Sequence, residues 1–199
     1  ASGSVNRVLV IGGECMSRIV NYEDRTSCIL FGDGAGAAVL GIDAPRGEIC
    51  DTFLGADGSG GHSMIVPAGG SRRPVDHQAV EERAQYLIIR GNEVFKFAVS
   101  KFRELVERQL DRFGMSGKDL SLVIPHQVNS RIIESALKKI DVDLDRVYMN
   151  LQNYGNTSGA SVGIALDEAH RSGRLEPGGY VSMLAFGAGL TWASVLLRW

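Results

Sequence analysis

Val123-Ile124-Pro125-His126-Gln127-Val128-Asn129 closes a short apolar run that begins at Leu120 and leads straight into a segment of helical spacing. Residues 120–124 read as a buried strand. The helix covers residues 130–140, with Ile133, Ala136, Leu137 and Ile140 on one side. A strand that hands over to a helix is the unit of an open α/β sheet, and ligands and reactive groups collect at the carboxyl ends of such strands. His126 stands at that end. A second polar, glycine-rich stretch, Asn153-Tyr154-Gly155-Asn156-Thr157-Ser158-Gly159-Ala160-Ser161, again runs into a helix, over residues 158–171, that stops at Gly173.

Outward from these two foci the pattern continues in both directions. Val94, Phe97, Ala98, Phe102, Leu105, Val106 and Leu110 recur at three- and four-residue steps, which predicts a helix over 92–113 closed by Gly114. Residues 147–151 read as a strand, and 179–186 and 191–199 as two more around Gly187-Ala188-Gly189. Upstream, residues 6–12 predict a buried strand of parallel type. Residues 27–31 and 36–42 predict two strands joined by Gly32-Asp33-Gly34-Ala35. Those glycines do not make a dinucleotide loop, because such a loop must be followed by a helix. Residues 43–84 are turn-rich, with extended pieces at 49–54 and 62–66, and Arg72 and Arg73 fit a solvated loop. The resulting class is α/β, in two layered portions: residues 1–50 as part of an incomplete sheet, 51–91 as a turn-rich connection, and 92–199 as a complete unit. Ala1-Ser2-Gly3 reads as the C-cap of a helix begun earlier, an expectation that the polypeptide extends upstream.

Composition narrows the function classes. Apolar residues make up 44% of the 199, enough for a sizeable core. Lys and Arg number 21 against 23 Asp and Glu, a net −2 that argues against a general nucleic-acid surface. Cys15, Cys28 and Cys50 lie in or beside apolar runs with no metal-ligand spacing, and an odd count reads as reduced thiols in a cytoplasmic protein. No apolar run reaches membrane-span length and no leader is visible, so no membrane partner is expected.

A neutral histidine and an asparagine amide side by side each offer one N–H to the same oxygen. If that oxygen belongs to a thioester whose neighbouring carbon loses CO2, both donors stabilise the enolate, and one such donor is worth roughly 3 kcal/mol in a dry pocket. His126 is therefore expected to stay neutral in a partly apolar pocket near a helix start. Read from the residues alone, His126 also fits a structural histidine at a strand end, Asn156 an Asx-turn or cap, and Asn129 the N-cap of its own helix. His62, His77 and His170 fall on loops or a helix end, and no His, Cys or carboxylate spacing marks a metal site.

Pro125-His126-Gln127-Val128-Asn129, Tyr154-Gly155-Asn156-Thr157-Ser158-Gly159-Ala160-Ser161, Phe31-Gly32-Asp33-Gly34-Ala35-Gly36-Ala37 and Ala185-Phe186-Gly187-Ala188-Gly189-Leu190-Thr191-Trp192 occur in this order from end to end. Together they resemble the β-ketoacyl-acyl-carrier-protein synthase III family, condensing enzymes that start bacterial type II fatty acid synthesis. The resemblance implies a thiolase-like layered α/β fold, with residues 92–199 as its second half and 1–50 as the last strands of its first half. It implies that His126 and Asn156 form the malonyl decarboxylation pocket and that Asn129 supports it. Backbone N–H groups of Gly187 or Gly189 would serve the acyl oxyanion. Arg25 and Asn92 would lie along the coenzyme A or pantetheine tunnel, and Arg131 would meet the acidic carrier protein. It implies no permanently bound cofactor, with a coenzyme A thioester and the carrier's phosphopantetheine as substrates.

The family's nucleophile is a cysteine at a buried helix start, and none of the three cysteines here has that setting. The chain is thus expected to be a carboxyl-terminal portion, inactive alone. Its expected partners are the amino-terminal part that bears the cysteine, acyl carrier protein, and a second subunit in a homodimer. Two other functions stay open: a condensing enzyme or acyltransferase of secondary metabolism, and a non-catalytic fragment that binds pantetheine or carrier protein.

Overall fold

The computed structural model describes residues 3–199. Ala1 and Ser2, and with them the helix-end reading of the first three residues, lie outside the described residues. β1 (Arg7–Glu14) and β2 (Gly34–Gly41) form an antiparallel pair, with Arg7 opposite Gly41 and Glu14 opposite Gly34. β3 (Glu48–Ala56) follows, then β4 (Met64–Ile65), α1 (His77–Glu81) and β5 (Ile88–Ile89), the last pairing with β4. α2 (Gly91–Phe113) leads to β6 (Leu120–Pro125), α3 (Ser130–Leu137), the single turn α4 (Leu151–Tyr154) and α5 (Ser161–Arg171). The chain ends in a hairpin of β7 (Tyr180–Gly187) and β8 (Thr191–Arg198). The larger sheet has the order β3-β8-β7-β6. β6 and β7 run parallel, and the other two pairs are antiparallel.

Alternation along the strands sends side chains to both faces of this sheet. On one face, Val123, Leu184, Phe186 and Leu196 meet Phe102, Leu105 and Val106 of α2 and Ile132, Ile133 and Ala136 of α3. Phe102, Leu105 and Val106 are wholly buried, each worth about 1.5–3 kcal/mol relative to exposure, so α2 is the main clamp on that side. Gly114 ends α2 in a left-handed C-cap, φ +62, as its position past the last periodic residue predicts. On the other face, Leu122, Ile124, Val181 and Leu197 pack against Ala165 and Ala169 of α5. α5 is also covered from behind by β2, at glycines: a Cβ on Gly36 would come within 2.9 Å of the Gly163 carbonyl carbon. The result is four layers: α2 and α3, the larger sheet, α5, and the β1–β2 pair.

Three local expectations change. Residues 6–12 are a strand, but an antiparallel and exposed one, with Leu9 59% and Ile11 65% accessible. Its apolar side chains from Val8 to Ile11 stay 43–65% accessible, and the Gly159 backbone comes close to Gly12, where a Cβ would fall 2.4 Å from its carbonyl oxygen. Residues 27–31 are not a strand. Asp24 folds them into turns by accepting from the Thr26 N–H and hydroxyl and from the Ser27 hydroxyl, a local alternative to the ladder. Cys28 therefore sits in a turn, and Gly34 and Ala35 belong to β2 instead of linking two strands. Residues 147–151 supply one parallel bridge, Val123 with Val147, before α4 begins. The Gln127 amide takes the Tyr148 carbonyl and the Asn150 N–H, two groups a longer ladder would need. The expected boundary at residue 50 falls inside β3, which pairs with β8, and that at 91 on the first residue of α2.

Candidate active site

β6 carries its ladder one residue beyond the strand: the His126 N–H donates to the Leu184 carbonyl, 2.7 Å. This fixes the residue after Pro125 at the carboxyl end of a buried strand. The residue is 8% exposed, and its ring stands edge-on to Phe186 with centroids 5.9 Å apart. Burial pushes its pKa from 6.5 down to about 4, so the imidazole is neutral near neutral pH. Its Nδ1 lies 2.6 Å from the Ser161 Oγ. That hydroxyl also accepts from the Gln127 N–H at 3.4 Å, and it has one proton of its own to give to Nδ1. With that hydroxyl as the donor to Nδ1, the neutral ring carries its proton on Nε2, an N–H donor with no acceptor among the described residues.

Asn156 reaches the same cavity from a different segment. Its N–H donates to the Leu30 carbonyl at 2.8 Å, and its carbonyl accepts from the Gly32 N–H at 3.0 Å. These bonds pin the loop to the segment that enters β2. Gly155 just before it takes φ +68, a turn that a side chain would strain. The Asn156 Oδ1 accepts from the Ser158 N–H at 2.8 Å, so the Asx-turn reading is correct. The same bond directs the amide nitrogen the other way, and Nδ2 donates to no acceptor among the described residues. Asn156 is 6% exposed.

Both side chains line one cavity of about 890 Å³. Its walls include Ile19, Leu87, Val94, Phe95 and Ile132, so the cavity that both residues border is largely apolar. Two donors there, at a neutral ring and a neutral amide, suit an oxygen that gains negative charge. Asn129 lines the cavity too, with its Oδ1 capping α3 through the Arg131 N–H at 3.0 Å.

Of the other residues singled out in the sequence, Gly187 lines the cavity together with Ala188. Gly189, φ +139, belongs to the same hairpin loop but not to the wall. Asn92 is exposed on the first turn of α2 beside Gly91, which does line the cavity. Arg25 is exposed in the turn after Asp24, and Arg131 is exposed at the start of α3. None of Cys15, Cys28 and Cys50 lines the cavity. Among the described residues no group of three His, Cys, Asp or Glu side chains converges as a metal site. Among the described residues no helix is long and apolar enough to cross a membrane.

Two site residues escape a reading of the sequence. Ser161 was legible only as a small residue that allows close approach, although it falls five positions after Asn156 in the same motif. Glu14, at the end of β1, brings a carboxylate to the cavity beside Gly159, and nothing in its sequence neighbourhood marks it.

Residues 1–58 match the family described as 3-oxoacyl-[acyl-carrier-protein (ACP)] synthase III, and residues 110–199 match the one described as its C terminal portion. A β-ketoacyl-[acyl-carrier-protein] synthase III of Caldanaerobacter subterraneus subsp. tengcongensis is 50% identical over 198 residues, which cover 100% of this chain and 60% of that protein. The crystal structure of 3-oxoacyl-[acyl-carrier-protein] synthase III from Aquifex aeolicus VF5 superposes with a TM-score of 0.86 at 40% identity, over 100% of this chain and 59% of the other. The priming β-ketosynthase from the R1128 polyketide biosynthetic pathway gives 0.82 at 37% identity, over 98% and 58%. The chain thus spans about 60% of the length of the curated relatives it matches. The layered α/β arrangement is the thiolase-like fold of these structures. By its sequence and its fold alike, the chain belongs to the 3-oxoacyl-[acyl-carrier-protein] synthase III family.

Proposed function

We propose that this chain supplies the decarboxylating half of a condensing site. A malonyl thioester on carrier protein enters the cavity, and its thioester carbonyl oxygen accepts from the His126 Nε2–H and the Asn156 Nδ2–H. The carboxylate leaves as CO2, and its bonding electrons pass to the carbonyl as an enolate held by the same two donors. The enolate carbon then attacks an acyl thioester on a cysteine supplied by the remainder of the enzyme. The C–C bond forms, the cysteine thiolate leaves, and the product is a β-ketoacyl thioester on the carrier. Neither residue has to act as a base.

The observation that carries this reading is the pair of unengaged N–H donors on one apolar cavity, with burial keeping the imidazole neutral. Backbone N–H groups at Gly187, or at Gly189 after a shift of the loop, would receive the oxyanion of the acyl thioester. Asn92 and Arg25 would border the path of coenzyme A or phosphopantetheine, neither bound permanently, and Arg131 would steer the acidic carrier. The working protein would be a cytoplasmic homodimer whose subunits include the cysteine-bearing part, with acetyl coenzyme A as primer.

In the full-length protein, His126→Ala or Asn156→Ala should each slow malonyl decarboxylation by about 10²–10³-fold while acylation of the cysteine persists. Undiminished decarboxylation would reject the assignment. A role in secondary metabolism is a second reading, favoured by the likeness to a polyketide priming ketosynthase. Turnover with a panel of acyl-coenzyme A primers separates the two.

A further inference from the structure

Behind the cavity lies a chain of polar contacts that the proposed chemistry does not use. The Gln127 side chain is 1% exposed as a residue, donates to the Pro125 carbonyl at 2.8 Å and the Tyr148 carbonyl at 3.1 Å, and accepts from the Asn150 N–H at 3.0 Å. It fastens the segment after residue 147 to the end of β6, next to His126. Asn150, 3% exposed, turns its own amide the other way and donates to the Glu168 Oε2 at 2.7 Å. The other carboxylate oxygen of Glu168 accepts from the Tyr154 hydroxyl. Tyr154 precedes Asn156 by two residues, in the turn that presents the carboxamide. Glu168 itself projects from α5, the helix whose first residue, Ser161, holds the His126 ring.

One carboxylate thus ties together three pieces: the segment latched to the His126 strand, the turn that carries Asn156, and the helix that orients the imidazole. From this convergence we infer that Glu168 is a positioning residue for the two-donor site, acting through Tyr154 on Asn156 without touching substrate. The physical reason is the geometry of a shared acceptor. Two donors stabilise one oxygen only while their separation stays fixed, and Asn156 sits on a loop whose other anchors are backbone bonds to residues 30 and 32. A carboxylate that accepts from both Asn150 and Tyr154 gives the loop an anchor beyond its backbone bonds, and hydrogen bonds to a carboxylate are stronger than neutral ones. The role rests on the reading of His126 and Asn156 given above.

The test uses the full-length enzyme with three changes: Glu168→Ala, Glu168→Gln and Tyr154→Phe, each alone and combined with Asn156→Ala. Malonyl decarboxylation, cysteine acylation and thermal midpoint are measured for each. Displacement of a reacting group by about 1 Å costs on the order of a hundredfold, so Glu168→Ala is expected to slow decarboxylation by about 10–100-fold with acylation unchanged. Tyr154→Phe removes a single hydroxyl and should lose about tenfold with the fold intact, which keeps the test decisive if Glu168→Ala folds poorly. Glu168→Gln, still able to accept from Asn150, should recover most of the loss. In the Asn156→Ala background the same changes should cost less than about twofold, because residues that act through one another are not additive. Equal losses in decarboxylation and acylation, additive losses in the double variants, or no loss at all would each overturn the inference. If Asn156→Ala alone leaves decarboxylation intact, the reading of the site has failed, and the positioning role falls with it.

Discussion

Acidification provides a quantitative check on His126 that needs no substrate. Its pKa falls from 6.5 to about 4 on burial, so as the pH drops through 6.5 the unfolded chain takes up a proton that the folded chain refuses. The stabilising contribution is complete above the unfolded value and is lost progressively down to about pH 4, where the loss levels off. Each pH unit between the two values is worth about 1.36 kcal/mol, which gives roughly 3 kcal/mol in all and about 2 kcal/mol between pH ~7 and pH ~5. Asp33 and Asp119 are held below the usual carboxylate range by hydrogen bonds from Ser17 and from Ser116. Their own losses come as the pH approaches the ordinary carboxylate value, below most of the histidine window. The measurement is urea unfolding of the protein and its His126→Gln variant at a series of pH values and fixed ionic strength. The wild type should lose about 2 kcal/mol more than the variant between pH ~7 and pH ~5. Parallel curves would show that the imidazole is not held neutral by its surroundings, and the donor argument would lose its physical basis.

Two substitutions probe other parts of the account. A Cβ on Gly32 would fall 2.0 Å from the Tyr154 carbonyl oxygen, so Gly32→Ala should push the Asn156 loop away. Decarboxylation in the full-length protein should drop by at least about tenfold while acylation is kept, and equal activity would show that the loop is not gripped there. Asp51, whose side chain is 4% exposed, pairs with Arg108 at 2.6 Å and Arg112 at 3.0 Å. Asp51→Ala should cost about 2–3 kcal/mol in urea unfolding, less than a fully buried pair because both arginines reach solvent, and should leave the cavity untouched.

What could be read in advance depended on how local its cause was. α2 declares itself in Phe102, Leu105, Val106 and Gly114, because the spacing of apolar residues and the stop are properties of the segment itself. β6 does so through an apolar run, broken only by Ser121, that ends at a proline. Residues 27–31 were illegible because the Asp24 side chain, three positions upstream, competes with the ladder. Residues 147–151 were illegible because the competing amide belongs to Gln127, twenty and more positions away. The exposure of Leu9 and Ile11 depends on what covers a strand, which hydrophobicity alone does not record. At the site, the resemblance singled out His126 and Asn156, and the structure places both on one cavity. Ser161 and Glu168 acquire their contacts only when β6, the Asn156 loop and α5 are brought together, so their importance belongs to the fold and not to the string.

The most direct test of the two-donor site is a crystal structure of the full-length protein with a malonyl thioester analogue that cannot lose CO2. The account predicts its thioester carbonyl oxygen within about 3 Å of both the His126 Nε2 and the Asn156 Nδ2. A carbonyl oxygen bound elsewhere, with either nitrogen turned away from it, would contradict the account.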